Sequence, residues 1–83
     1  MLNLSILIVE DESPLVELLR YNIEQTGFDA LIATDGETAL LLASEEEPDL
    51  IILDWMLPDI SGIEVCRRLR ADKGSKAVPI IML

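Results

Sequence analysis

The sequence contains no histidine and a single cysteine, Cys66, among its 83 residues. One cysteine excludes an internal disulfide and a zinc site built from cysteines, and it agrees with a reducing compartment. We expect Cys66 to be a small buried side chain on a helix. With neither histidine nor a cysteine cluster, a metal site in this chain would have to use oxygen ligands.

Basic residues and long apolar runs are also scarce. Only 6 lysines and arginines stand against 16 acids, which gives a formal net charge of −10. Phosphate backbones and anionic membrane surfaces repel such a chain, so we expect no direct binding to nucleic acid or membrane. No apolar run approaches the roughly 18 residues of a membrane span, and no basic residue precedes Arg20. The sequence predicts a soluble, cytoplasmic protein.

Aromatic residues make up only 4% of the chain, whereas hydrophobic residues together make up 51%. This balance favours a sheet covered by helices over an aromatic-rich sandwich, and the length suits one small domain. The glycine-rich phosphate loops are missing too, because neither G-x-G-x-x-G after the first apolar run nor G-x-x-x-x-G-K-[ST] occurs. Nucleotide binding is therefore set aside.

Four apolar segments alternate with three segments of helical periodicity. Residues 5–9, 28–33, 50–53 and 78–83 are predicted strands, and the first shows no polar alternation, as expected in a parallel sheet covered on both faces. The first helix begins at Ser13-Pro14, the second at a cap formed by Thr34 or Asp35, and the third after the loop that follows the third strand. Their predicted inner faces carry Leu15, Leu18, Leu19 and Ile23 in the first helix, and Ile63, Cys66 and Leu69 in the third.

This alternation of strand and helix predicts an α/β fold, an open doubly wound parallel sheet with right-handed crossovers. We adopt for it the flavodoxin-like strand order 2-1-3-4-5, of which this chain supplies the first four strands. Ligands of such sheets bind beyond the carboxyl ends of the strands. Glu10 and Asp11 follow the first strand and Asp54 follows the third, so we expect the three carboxylates to converge at one edge.

Three clustered carboxylates repel one another, which favours recruitment of a cation. Oxygen ligands without histidine or cysteine suit Mg²⁺ or Ca²⁺, and the absence of an EF-hand spacing favours Mg²⁺. Magnesium in turn supports phosphoryl transfer, and an aspartate can itself accept the phosphoryl group. Residue types alone leave an alternative open, in which these acids only cap helices and solvate strand ends.

Two segments together resemble the receiver domain of bacterial two-component response regulators. They are LDWMLPDISG at residues 53–62, with its Asp-x-x-x-Pro-x-x-x-Gly spacing, and VEDE at residues 9–12. LDWMLP is most similar to the OmpR/PhoB branch, and the tryptophan after the aspartate is similar to the phosphate-regulon regulators. The resemblance runs over the whole chain and implies the CheY-like version of the flavodoxin-like fold.

The resemblance also implies roles for individual residues. Asp54 would accept a phosphoryl group from a histidine kinase. Asp11 and Asp54 would hold Mg²⁺ directly, Glu10 would hold it through water, and Met56 would contribute its backbone carbonyl. The domain would then regulate transcription through a DNA-binding domain that these residues do not include.

Compared with the family pattern, residues 1–83 form a receiver domain that is C-terminally incomplete and lacks the last helix, strand and helix. The Ser or Thr that follows the fourth strand and the lysine that pairs with the phosphoryl group would lie in that portion. We therefore expect weak phosphoryl chemistry at most and no enzyme activity. An exposed fourth strand would favour a homodimer or an edge-paired oligomer.

Two other functions remain open on the sequence. One is a non-catalytic interaction or dimerising fragment. The other is a Mg²⁺-dependent aspartyl-phosphate phosphatase of the haloacid-dehalogenase type, which requires a second aspartate two residues after the nucleophile. Met56 stands at that position, so the phosphatase is the weaker alternative.

Overall fold

The computed structural model describes residues 3–83, whose four strands form one parallel sheet. Residues 1 and 2 of the predicted domain lie outside the described residues. The sheet has the order β2-β1-β3-β4, which confirms the predicted doubly wound, flavodoxin-like arrangement. The strands are β1 (Ser5–Val9), β2 (Asp29–Ala33), β3 (Leu50–Leu53) and β4 (Ile80–Met82), and the helices between them are α1 (Ser13–Gln25), α2 (Gly36–Glu46) and α3 (Gly62–Ala71).

The side chains of β1 alternate between two cores. Leu7 and Val9 lie in one cluster with residues of α2 and α3, and both are fully buried. Ile6 and Ile8 lie in a second cluster with Ile23 of α1. Both faces of the central strand are therefore covered, as its unbroken apolar sequence predicts. No helix among residues 3–83 is long and apolar enough to cross a membrane.

The fourth strand is shorter than the predicted 78–83. Val78 donates its N–H to the carbonyl of Ser75 in a turn at 3.3 Å, and Pro79 has no N–H to give to a sheet. Regular pairing therefore begins at Ile80. This strand lies at the edge of the sheet, where Ile81 and Met82 are exposed. Edge pairing between chains stays a prediction.

The buried faces of two helices are rotated from the predicted ones. Val16 is buried in α1, whereas Leu18 is 58% exposed. In α3, Val65 and Leu69 are buried, whereas Ile63 is 66% exposed. The prediction of Leu18 and Ile63 as inner residues was wrong, because several apolar stripes fit a helical period and contact with the sheet decides which stripe is covered.

The arginines of α3 are exposed, as predicted, but they are engaged in ion pairs and hydrogen bonds. Arg67 and Arg68 each donate from Nε to the carboxylate of Glu64 at 2.9 Å. Arg68 also lies 3.4 Å from the carboxylate of Glu37 in α2. Arg70 donates to the carbonyls of the loop before β4. The contacts of Arg68 with Glu37 and of Arg70 with the loop connect α3 to its neighbours at the surface, whereas the Glu64 pairs lie within α3.

The Glu64 pairs predict a specific pH response. Hydrogen bonds from Arg67 and then Arg68 lower the pKa of Glu64 from 4.5 to about 2. A carboxyl with a lowered pKa stabilises the fold above its unfolded pKa and loses that contribution as pH falls through the folded pKa. We expect Glu64→Gln to lower stability at pH 7 by a small amount, because the pairs are solvent-screened, and to remove the same small amount from the loss of stability between pH 4.5 and about 2. Thermal melts across this range check it.

Glu17→Gln removes another helical surface charge and serves as the control, since its carboxylate lies 3.6 Å from Arg20. The same acid slope in wild type and Glu64→Gln would contradict the prediction.

Candidate functional site

Three carboxylates meet at the carboxyl edge of the sheet. Val9 pairs with Leu53 in register, so the residues that follow these two strands come side by side. Asp54 donates its N–H to the carbonyl of Val9 at 2.9 Å. One carboxylate oxygen from each of Glu10, Asp11 and Asp54 lies within 4.8 Å of the other two. The predicted convergence of these three residues is confirmed.

Glu10 is the most enclosed of the three, with 1% of its surface exposed. Its Oε2 accepts the N–H of Glu12 at 3.0 Å. Burial is the main reason that the pKa of Glu10 is raised, and the negative charges of Asp54, Glu12 and Asp11 add to the effect. The N–H of Glu12 opposes it. A cation beside Glu10 would offset both the burial and the repulsion.

Asp54 is partly buried, whereas Asp11 is exposed. The Oδ1 atom of Asp54 accepts the N–H of Met56 at 3.2 Å. This contact orients the carboxylate from one side while solvent reaches it from the other. The side chain of Met56 is 64% exposed, so it is free of the core, and a metal contact through its backbone carbonyl stays a prediction.

The donor set fits Mg²⁺. The cluster offers three hard carboxylate oxygens and no nitrogen or sulfur ligand, and its exposed side leaves room for water. Mg²⁺ binds proteins through a small number of carboxylates and keeps several waters, whereas Ca²⁺ takes six to eight oxygens. The unfavourable burial of Glu10 supplies a further reason for a cation at this edge.

The loop from Asp54 to Gly62 is closed tightly on itself. Gly62 donates its N–H to the carbonyl of Trp55 at 2.9 Å. A Cβ atom at Gly62 would lie 2.3 Å from the carbonyl oxygen of Asp54 and 2.5 Å from the Cα of Trp55. Only glycine permits this approach, so Gly62 shapes the loop that carries the acidic cluster.

One residue of this loop was not singled out from the sequence. Asp59 accepts the N–H of Gly36 at 2.8 Å and the N–H of Glu37 at 2.9 Å, both at the start of α2. Its partners lie 23 and 22 residues upstream, so no local capping pattern could have identified it. The capping pattern does identify Asp35, which accepts the N–H of Thr38 at 2.7 Å.

A cavity of about 240 Å³ lies at the opposite edge of the sheet, between the end of α2, the start of β3 and the loop after α3. It is lined in part by Lys73 and Ser75, and the Ser75 hydroxyl donates to the carbonyl of Leu69 at 2.8 Å. Glu10, Asp11 and Asp54 are not among the residues that line this cavity.

Comparison with known proteins identifies close relatives of the chain. The family model for the response regulator receiver domain matches residues 6–83. The alkaline phosphatase synthesis transcriptional regulatory protein PhoP of Bacillus subtilis is 52% identical over 82 residues, which cover 99% of this chain and 33% of the relative. The phosphate regulon transcriptional regulatory protein PhoB of Rhizobium meliloti is 53% identical over 78 residues, covering 94% of this chain and 34% of the relative. The chain spans about a third of the length of these relatives.

Solved structures share the fold. The receiver domain of a sensor histidine kinase from Pseudomonas aeruginosa superposes with a TM-score of 0.93 at 28% identity. The match covers 98% of this chain and 66% of that chain. That protein was crystallised with a magnesium ion coordinated in its active site cleft.

Proposed function

Because the chain belongs to the response regulator receiver domain family, in its OmpR/PhoB branch, we propose that it accepts a phosphoryl group on Asp54 with the help of Mg²⁺. One observation carries the proposal: the carboxylates of Glu10, Asp11 and Asp54 lie within 4.8 Å of one another at the ligand-binding edge of the sheet. The magnesium ion in the similar receiver domain from Pseudomonas aeruginosa supports it.

Asp54 is the nucleophile. A carboxylate oxygen of Asp54 attacks the phosphorus of a phosphohistidine on a histidine kinase, and a new O–P bond forms. The P–N bond breaks, and its electron pair returns to the imidazole of the kinase, which takes up a proton. The product is an aspartyl phosphate, formed once per chain, so the domain is a phosphoacceptor and not a turnover enzyme.

The neighbours of Asp54 prepare it for this step. Asp11 and Asp54 would bind Mg²⁺ directly, Glu10 through water, and Met56 through its backbone carbonyl. When bound, Mg²⁺ neutralises the charge on the phosphoryl oxygens. The N–H of Met56 holds Oδ1 of Asp54 and thereby orients the carboxylate.

We propose that phosphorylation of Asp54 regulates transcription as part of a longer protein. The named relatives PhoP and PhoB are transcriptional regulatory proteins about three times as long as the matched segment. DNA binding would belong to the portion outside these 83 residues, in agreement with the net charge of −10. The histidine kinase would be the partner of the segment described here.

The test is a labelling experiment with and without metal. We expect the protein, incubated with Mg²⁺ and the acyl phosphate acetyl phosphate, to gain the mass of one phosphoryl group, located at Asp54 by peptide mass spectrometry. Removal of Mg²⁺ with EDTA should abolish the adduct, because the carboxylates then repel the incoming phosphate. An adduct of equal yield in EDTA, or one located at another residue, would contradict the proposal.

A further inference from the structure

Two aspartates share the start of α2. Asp35 precedes the helix and accepts the N–H of Thr38, which is an ordinary N-cap. Asp59 comes from the loop after β3 and accepts the N–H groups of Gly36 and Glu37, the two residues that precede Thr38. Both carboxylates are favourably placed toward the positive end of the helix dipole. The two carboxylates differ in one respect: Asp35 directly precedes the helix that it caps, whereas Asp59 connects α2 to the loop that begins at Asp54.

We call the two hydrogen bonds from Gly36 and Glu37 to Asp59 the Asp59 clamp. A second contact lies beside it. Gly36 is packed so closely against Ile60 that a Cβ atom at Gly36 would lie 2.4 Å from Cγ1 of Ile60. The loop is thus held to α2 by a charged hydrogen-bonded group and by direct packing at consecutive residues. The hydrogen bond from Gly36, followed by that from Glu37, lowers the pKa of Asp59 to about 2, so the clamp is ionised at neutral pH.

Asp59 and the phosphoacceptor Asp54 belong to the same closed loop. Gly62 closes that loop onto Trp55, and Met56 near its start donates to Asp54. The described chain between Met56 and Asp59 is exposed or partly exposed and contains no regular structure. Leu57 of this segment packs, partly buried, against the core cluster of Leu7 and Val9, and Asp59 is the hydrogen-bonded attachment that follows it. The position of the segment therefore depends on both attachments. Loss of the Asp59 carboxylate would remove the polar attachment of the segment that presents the backbone of Met56 and leave only the apolar contacts of Leu57 and Ile60.

We propose that Asp59 is a positioning residue, which holds the loop on α2 and thereby keeps the backbone of Met56 in place for Mg²⁺ at the acidic cluster. The inference rests on the proposed function and adds to it a residue that does not itself touch the metal. Residues that orient metal ligands without binding the ion typically change metal affinity by 10–100-fold when they are replaced.

The test is a Mg²⁺ titration followed by the fluorescence of Trp55. This side chain is the only tryptophan of the protein, it is 53% exposed, and it adjoins Asp54. We expect Asp59→Ala to raise the Kd for Mg²⁺ about tenfold. Asp59→Asn should raise the Kd less, because the amide keeps one oxygen that accepts a hydrogen bond, and this variant preserves the size of the side chain.

The matched control is Asp35→Ala. It removes a carboxylate cap from the same helix end, so it weakens α2 by a comparable mechanism while leaving the loop attached. We expect its Kd for Mg²⁺ to stay near that of the wild type. An equal rise of the Kd in Asp35→Ala and Asp59→Ala would assign the effect to the stability of α2 and would overturn the inference.

A second measurement needs no metal. In amide NMR spectra recorded without Mg²⁺, the Met56 signal should shift in both Asp59 variants and remain in place in Asp35→Ala. If the Asp59 variants keep the wild-type Kd for Mg²⁺ and their Met56 signal does not move, the inference is overturned and the proposed function still stands. If the wild type does not bind Mg²⁺, the proposed function fails instead, and the metal-free spectra still decide whether Asp59 positions the loop.

Discussion

Asp54→Asn is expected to abolish phosphoryl labelling of the chain, with a fall in rate of at least about 10³-fold. The amide nitrogen and oxygen of asparagine are poor nucleophiles, and the side chain carries no negative charge to bind Mg²⁺. The substitution leaves the backbone hydrogen bond from the Asp54 N–H to the carbonyl of Val9 intact, so the ends of β1 and β3 that carry the cluster stay together. The variant should therefore fold and yet remain unlabelled.

The measurement is the adduct yield by intact-mass spectrometry with acetyl phosphate and Mg²⁺. Glu12→Gln is the control, since Glu12 stands in the same acidic segment but lies outside the cluster of Glu10, Asp11 and Asp54. Its labelling should be close to that of the wild type. If Asp54→Asn keeps more than a trace of labelling while Glu12→Gln loses it, the assignment of the nucleophile is wrong.

Gly62→Ala is expected to have the largest effect on stability among single-methyl additions to the loop. The new Cβ would lie 2.3 Å from the carbonyl oxygen of Asp54, which is backbone and cannot rotate away. Overpacking of this kind costs about 1–3 kcal/mol. The displaced loop should also weaken Mg²⁺ binding, because the clash is with Asp54, the proposed phosphoacceptor.

Gly74→Ala provides the comparison at a second glycine. A Cβ there would meet only the Oδ2 atom of Asp72, at an ordinary 3.7 Å. We expect its free energy of unfolding in urea to equal or slightly exceed that of the wild type, because alanine restricts the unfolded chain. Equal stabilities for Gly62→Ala and Gly74→Ala, or wild-type Mg²⁺ affinity in Gly62→Ala, would show that the loop yields to the added methyl group.

The alternation of strands and helices follows from the sequence because it depends on patterns that the chain carries locally, whereas the strand order was adopted from the flavodoxin-like class. Each predicted strand ends where an apolar run meets a polar residue, and parallel strands bring such ends to one edge. Glu10 and Asp54 come together at that edge because β1 and β3 are neighbours in the sheet. The depth at which Glu10 is buried does not follow from the pattern, because covering helices and the N–H of Glu12 determine it.

The helices show where the sequence pattern is insufficient. Leu18 and Val16 both belong to apolar stripes of α1, and only contact with the sheet decides that Val16 is covered. In α3 the same ambiguity led to the prediction of Ile63 as an inner residue, whereas Val65 is the buried one. A helical period defines the spacing of a buried stripe but not the rotation of the helix about its axis.

By itself the sequence determined the α/β class and the carboxylates that follow the first and third strands, since these depend on residue types and on the ends of apolar runs. The tertiary structure alone decided that Asp59 reaches Gly36 and Glu37 in α2. The physical reason is separation along the chain: a carboxylate can satisfy helix N–H groups more than 20 residues away only after the sheet has brought the loop and the helix together.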